Sequence, residues 1–287
     1  MPYNHEAALL AFSEVMKTVA RLRGPGGCPW DREQTPQSLR KYLIEEAYEV
    51  LDVLDRIPDS SALDSPDLSR SFTEEWGDLL LQILLHAEIA SETHPEHSLE
   101  AMAASLNEKL IRRHPHVFGE VSVSGTEEVL KNWDRIKKEE KGRDPGLTSV
   151  FDSIPRSLPP VLRTEKIISK VTKVGFQWPD LTGPLEKLEE EVRELRRELE
   201  GKTPIDEVRR AKIESELGDV LFCVCNLAHL TKIDPESALR GTLRRFESRF
   251  RHVEKRLHEK GTSPEKVDLA EMDRYWDEAK ALERKPE

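Results

Sequence analysis

The chain has 287 residues, with 44 Lys or Arg against 55 Asp or Glu, a formal net charge of −11, 6% aromatic residues and 14 Gly. That composition is poor in what sheets need and rich in the Glu, Lys, Arg and Leu that favour helices. The acidic balance disfavours general nucleic-acid binding, which needs a basic face, but it does not disfavour metal cations. The apolar run at 79–85 is interrupted by Gln82 and is far shorter than a membrane span, and the start, MPYNHEAALL, has no basic segment leading into an apolar block. Three cysteines, Cys28, Cys223 and Cys225, with no CxxC pair, argue against a disulfide framework or a zinc site and for a reducing, cytoplasmic setting.

In chain order, apolar residues recur at helical spacing and predict helices near 5–23, 37–56, 73–93, 98–114 and 126–141, then 161–173, 184–200, 205–231, 235–260 and 269–283, with no strand. One expected core stripe is Leu43, Ala47, Val50, Leu51 and Leu54; another is Leu79, Gln82, Ile83 and His86. Ser71 with Glu74 and Asp268 with Glu271 have capping-box spacing, and Thr203–Pro204 and Asp234–Pro235 read as helix starts. Residues 57–71 read as a loop. Residues 142–160, with four prolines and two glycines, read as a linker between a unit at 1–141 and a unit at 161–287.

The two units repeat one another. Gly27-Cys-Pro-Trp30-Asp31 is echoed by Gly175-Phe-Gln-Trp178-Pro-Asp180, and Glu45-Glu46-x-x-Glu49 by Glu190-Glu191-x-x-Glu194. Glu75-x-Gly77-Asp78 is echoed by Glu216-x-Gly218-Asp219, Lys109-x-x-x-Arg113 by Arg245-x-x-x-Arg249, and Trp133-x-x-x-Lys137 by Trp276-x-x-x-Lys280. Five features in one order, at offsets between 136 and 148, indicate an internal duplication.

At about 100° per residue, Glu45, Glu46 and Glu49 share one helix face, as do Glu190, Glu191 and Glu194. Glu75 and Asp78, and likewise Glu216 and Asp219, share a face of a second helix and sit among apolar neighbours such as Trp76, Leu79, Leu217 and Leu221, so partial burial is expected. Two carboxylates about 5 Å apart repel by roughly 3 kcal/mol at an effective dielectric near 20, so a converging cluster needs a cation or protons. All-oxygen ligation selects Mg²⁺, or Mn²⁺, over zinc or copper. A di-iron bundle is excluded because no histidine has Glu three residues before it; HExxH, the P-loop and GxGxxG are also absent. Arg245 with Arg249, Trp276 with Lys280, and Lys187 one turn before Glu190 and Glu191 are the cations and the aromatic face that a nucleotide polyphosphate would use. The alternative from another class is a helical interaction module whose acidic faces are simply solvated.

Taken together, GCPWD, EExxE, EWGD and ELGD, RRHPHVF and DSIPRSLPP resemble the MazG-type nucleoside triphosphate pyrophosphohydrolases, over about residues 5–283. The resemblance implies an all-α fold of tandem helical units, with four-helix-bundle-like sites completed by a homodimer. It also implies Mg²⁺-dependent cleavage between the α and β phosphates, giving a nucleoside monophosphate and pyrophosphate; a dUTP- or dCTP-specific pyrophosphatase differs only in base choice. Carried over by position, it makes Glu190, Glu191, Glu194, Glu216 and Asp219 metal ligands in the second unit and Glu45, Glu46, Glu49, Glu75 and Asp78 in the first. Lys187, Arg245, Arg249, Trp276 and Lys280 would contact the nucleotide, and Glu190 and Glu191 are the candidate proton acceptors. Tyr42 stands where Lys187 stands, and 25 residues separate Glu49 from Glu75 against 21 between Glu194 and Glu216. Ser215 occupies a position where the family can carry another acid. The second unit is therefore the expected main active site.

Overall fold

A computed structural model of the chain describes residues 4–57, 60–140, 149–200 and 205–283. Among them it forms twelve α-helices, three short 3₁₀ turns and no strand. The chain divides into two compact units, Met1–Asp144 and Pro145–Glu287.

In the first unit, α1 (His5–Arg23) and the short α2 (Pro29–Glu33) lead into α3 (Pro36–Leu54) and α4 (Pro66–Ser91), which pair along their lengths. Next come α5 (Leu99–Arg113), the single turn α6 (Pro115–Phe118) and α7 (Thr126–Glu140). The second unit runs α8 (Pro160–Thr172), the pair α9 (Thr182–Leu199) and α10 (Glu207–Leu230), then α11 (Pro235–Glu259) and α12 (Leu269–Glu283). Packing of α1 on α4, α3 on α4 and α5 on α7 is matched by α8 on α10, α9 on α10 and α11 on α12. The helices thus repeat in the order that the sequence motifs repeat.

Half of the helix starts follow from short polar side chains at the N-cap that accept orphaned backbone N–H groups. Thr35 and Ser38 form a reciprocal box at α3, Asp206 accepts from the Arg209 amide at 2.8 Å, and Asp234 accepts from the Glu236 amide at 2.9 Å ahead of Pro235. Asp268 accepts from the Glu271 amide at 2.9 Å, as its spacing predicts. The Ser71–Glu74 pair does not begin a helix. Helix α4 starts at Pro66, preceded by a 3₁₀ turn at Ser60–Asp64, because proline at the first helical position lets the helix nucleate seven residues before the predicted 73. Residues 66–71 of the predicted loop are therefore helical. Thr203–Pro204 and residues 142–148 of the predicted linker lie outside the described residues. The described part of that linker, from 149 on, is turn-rich, and Ile154 is buried.

The core of the first unit is Val19, Leu39, Leu84 and Leu85, with Phe12, Val15, Tyr42 and Leu80 packed against it. The predicted stripe on α3 is only half right. Val50 is buried, but Leu43, Leu51 and Leu54 stay 38%, 39% and 40% exposed, and Leu39 and Val53 take the inner positions instead. On α4, Gln82 is buried and Ile83 is exposed, the reverse of their polarity. Arg23, its side chain nearly buried, closes the base of the unit: it donates to Glu92 at 2.6 and 2.9 Å and to the Asp31 and Gln34 carbonyls around the GCPWD turn.

One residue accounts for the main divergence between the units. At an offset of 136, Pro115 stands where α11 has Arg251. Proline cannot donate to the preceding turn and its ring clashes with it, so α5 stops at Arg113 while α11 runs on to Glu259. Val253 and Leu257, on the continued turns, are fully buried against Tyr275 of α12, whereas Val117, the counterpart of Val253, is exposed. Removing the Leu257 side chain leaves a void that the helix pair cannot readily fill. Leu257→Ala should therefore destabilise the second unit by about 3 kcal/mol, seen as a shifted urea unfolding midpoint.

Candidate active site

The repeated acidic motifs converge within each unit on its central helix pair. In the first, carboxylate oxygens of Glu46 and Glu49 on α3 and Glu75 on α4 lie within 4.8 Å of one another. In the second, two such groups share a member: Glu190, Glu191 and Glu194 on α9, and Glu191 with Glu216 and Asp219 on α10. Helical spacing explains this, since residues three or four apart stand on one face and the paired helix supplies the rest. Asp78 completes the first cluster electrostatically, acting on both Glu46 and Glu75. Glu45 is exposed and outside the three-carboxylate group.

Like charges leave their mark on protonation. Burial, a hydrogen bond with Glu49 and repulsion from Glu49, Asp78 and Glu75 push the Glu46 carboxyl up to about 7. Burial, then Glu49 and Asp78, raises Glu75, and burial, then Glu194, Glu191 and Asp219, raises Glu216. The second cluster carries an internal cation. Lys187 pairs with Glu191 at 2.6 Å and Glu190 at 2.9 Å, which holds the Glu190 carboxyl below the usual range and the lysine above its own. Glu191 is 5% exposed, so this pairing partly compensates a charge taken out of water. In the first unit Tyr42, at the equivalent place, stacks edge-on against Trp30 at 5.8 Å and supplies no charge.

The other expected nucleotide contacts lie on α11 and α12, paired with residues outside the acidic cluster. Trp276 packs against Phe246 at 5.0 Å with the Arg249 guanidinium over its ring at 5.6 Å; Arg249 is paired with Glu283, and Lys280 with Asp277 at 3.1 Å. Arg245 donates to the Thr242 hydroxyl at 2.9 Å. Of these five residues, only Lys187 is in an ion pair with the cluster among the described residues.

Three features escaped the sequence. Cys223 is buried one turn beyond Asp219, and its thiol is raised by burial and then by Glu191; the i+4 spacing was its only signal. Glu140 and Glu283, three residues past Lys137 and Lys280, pair with the repeated arginines. The expected partial burial of the carboxylates is met at Glu75 and Glu216 but not at Asp78 and Asp219, which are exposed. Trp76, Leu217 and Leu221 are 43%, 47% and 63% exposed, because the faces of α4 and α10 that carry them are not covered by the rest of their own unit.

Comparison with known proteins places the chain. The model of the MazG nucleotide pyrophosphohydrolase domain matches twice, at residues 34–118 and 182–254, so one match falls on each helical unit. The chain belongs to the MazG nucleotide pyrophosphohydrolase family, and it is an enzyme of that class. It is 39% identical over 275 residues to the nucleoside triphosphate pyrophosphohydrolase/pyrophosphatase MazG of Thermotoga maritima, covering 96% of this chain and 97% of that protein. It is 38% identical over 270 residues to the nucleoside triphosphate pyrophosphohydrolase of Escherichia coli K12, covering 94% and 97%. The uncharacterized protein YabN of Bacillus subtilis is 39% identical over 274 residues, 96% of this chain and 52% of YabN. The Trp–Lys motifs of α7 and α12 lie outside both matched segments.

The crowding in the first cluster should be measurable as lost stability. A carboxyl raised in the folded state binds its proton more tightly there than in the unfolded chain, so its ionisation weakens folding as pH rises from about 4.5 to 7. In metal-free protein Glu46→Gln should raise the melting temperature at pH 8 and leave it unchanged near pH 4, in calorimetric scans with EDTA.

Proposed function

We propose that the protein hydrolyses nucleoside triphosphates, ribo and deoxyribo, between the α and β phosphates, releasing a nucleoside monophosphate and pyrophosphate. The supporting observation is the doubled cluster of three carboxylates within 4.8 Å on a paired helix frame, in a chain of the MazG family. The donor set fits a hard divalent cation: every candidate ligand is a carboxylate oxygen, and Glu46, Glu75 and Glu216 are strained toward protonation by their neighbours. Mg²⁺, or Mn²⁺, held by Glu190, Glu191, Glu194, Glu216 and Asp219, and at the first site by Glu46, Glu49, Glu75 and Asp78 with Glu45 beside them, would supply charge neutralisation and a water of lowered pKa.

The remaining roles belong to side chains. Lys187, now bridging Glu190 and Glu191, is the cation placed to turn to a phosphate oxygen once those carboxylates have another partner. Glu190 keeps about half of its side chain in solvent, with 48% exposed, and is open to accept a proton from an attacking water; Glu191, buried, is better suited to holding charge in place. Arg245, Arg249 and Lys280 offer donors for phosphate oxygens, and Trp276 a face for the base. The second unit, which has Lys187 where the first has Tyr42, carries the main activity. Exposed apolar residues on the carboxylate helices, Leu185, Leu221 and Phe222 among them, support a homodimer in which a second copy covers these faces. No helix among the described residues is long and apolar enough to cross a membrane, which accords with a cytoplasmic enzyme.

Product analysis tests the reaction. Incubation with a panel of nucleoside triphosphates and Mg²⁺ should yield monophosphate and pyrophosphate, with nothing formed in EDTA; diphosphate and orthophosphate as products would refute the α–β cleavage. Asp219→Asn should lower kcat by about 100-fold or more, since catalysis of this kind rests on electrostatic positioning. Full turnover in that variant would move the main activity to the first unit.

A further inference from the structure

The two units share one ion pair that no motif of the acidic clusters requires. In the first, Glu140 receives Arg113 through Nε, at 3.2 and 3.1 Å to its two oxygens, and through Nη2, and it also receives Arg112 through Nε at 2.8 Å, a second partner that the other unit lacks because Ser248 stands there. In the second, Glu283 receives Arg249 through Nε, at 3.1 and 3.2 Å, and through Nη2 at 2.6 Å. The same edge of the guanidinium is engaged by the same two oxygens in both. The match holds although the partners are 27 residues apart in one unit and 34 in the other, and although α5 is broken by Pro115 where α11 is continuous. Each glutamate completes a repeated Trp-x-x-x-Lys-x-x-Glu run, at Trp133–Glu140 and Trp276–Glu283.

We propose that Glu140 and Glu283 are positioning residues that aim Arg113 and Arg249 at the phosphates of the substrate. This rests on the reading that these helices meet the nucleotide. A guanidinium has two usable edges, and bidentate recognition of phosphate costs less when its plane is fixed beforehand. Seizing the Nε–Nη2 edge fixes that plane and leaves the Nη1 edge out of the pair. In the second unit the fixed guanidinium also lies over Trp276, next to the face assigned to the base. A plain helix clip explains less. The side chains of Glu140 and Arg113 are 18% exposed each, which suits a clip in the first unit, but those of Glu283 and Arg249, at 39% and 23%, keep more water around a pair of the same geometry. It also gives no reason for the same edge to be chosen twice. The pair does its work through orientation: a free arginine would have to be ordered at the moment of binding, and a prefixed one is not.

The test uses the full-length protein, α,β-methylene ATP with MgCl₂ as probe, and variants made in both units together so that neither site masks the other. Arg113→Ala with Arg249→Ala should weaken binding by on the order of tenfold or more. Glu140→Gln with Glu283→Gln should weaken it by on the order of three- to tenfold while the melting temperature moves little, and all four changes together should be no worse than the two arginine changes, because the glutamates act through the arginines. Wild-type affinity in the folded glutamate variant, or additive losses in the fourfold variant, overturns the positioning role. Unchanged affinity in the arginine variant instead shows that the reading of these helices as nucleotide contacts is wrong. Should the glutamate variant not fold, Arg113→Lys with Arg249→Lys decides: lysine keeps an ion pair but has no second edge, so weakened binding supports the proposal and wild-type binding overturns it.

Discussion

Repulsion among carboxylates is the constraint around which each unit is arranged. Side chains that would separate in water are held within 4.8 Å by the pairing of α3 with α4 and of α9 with α10, and the cost appears as carboxyl groups pushed toward their protonated forms. A helix pair can enforce such a cluster because its geometry is fixed elsewhere, by Leu39, Leu84 and Leu85 in the first unit and by the capped start of α10 at Asp206 in the second. The frame and the strain are separable: the helix pairs are held by their own packing, and the carboxylates subtract from the stability that this packing supplies.

The two copies of this arrangement have come to differ in how the crowding is relieved. In the second unit Lys187 shares its charge between Glu190 and Glu191, so one internal cation already occupies part of the cluster. In the first, Tyr42 turns to Trp30, and Glu46 answers by holding its proton to about 7. The pairing of the basic helices differs too. Pro115 ends α5 early and sends Val117 to the surface, while the uninterrupted α11 buries Val253 and Leu257 against α12. Two clusters built on one plan therefore start from different charges, a difference created by one substitution on the acidic helix, while one proline sets the basic helices apart.

Much of this was legible in the residues themselves. Helical periodicity and capping side chains located all ten long helices, with ends off by a residue or two apart from the start of α4, where Pro66 overrode a Ser–Glu spacing that turned out to be mid-helix. The single-turn elements α2 and α6 were missed because four or five residues carry no period. The convergence of the acidic motifs followed from spacing, since three and four residues along a helix place side chains on one face. What spacing could not supply was burial. Leu43 and Leu51 fit a core stripe and are exposed, and on the α4 stripe the polar Gln82 is buried while the apolar Ile83 is exposed. Periodicity reports which residues share a face, and only packing decides whether that face meets the unit's own core or something outside it.

The same limit hid Glu140 and Glu283. A glutamate three residues past a lysine on a charged helix reads as an ordinary solvated side chain, and its partner arginine is 27 or 34 residues away with a turn between. The signal was in the repetition, not in the residue: the Trp–Lys motif extends by one acidic position in both units, and the extension matters only because the folded chain lays that position beside the repeated arginine. In a duplicated protein the informative comparison is internal. A contact kept by both copies through unequal connections and unequal helices marks a geometric requirement, and a residue changed in one copy alone, such as Tyr42, marks where the requirement has been relaxed.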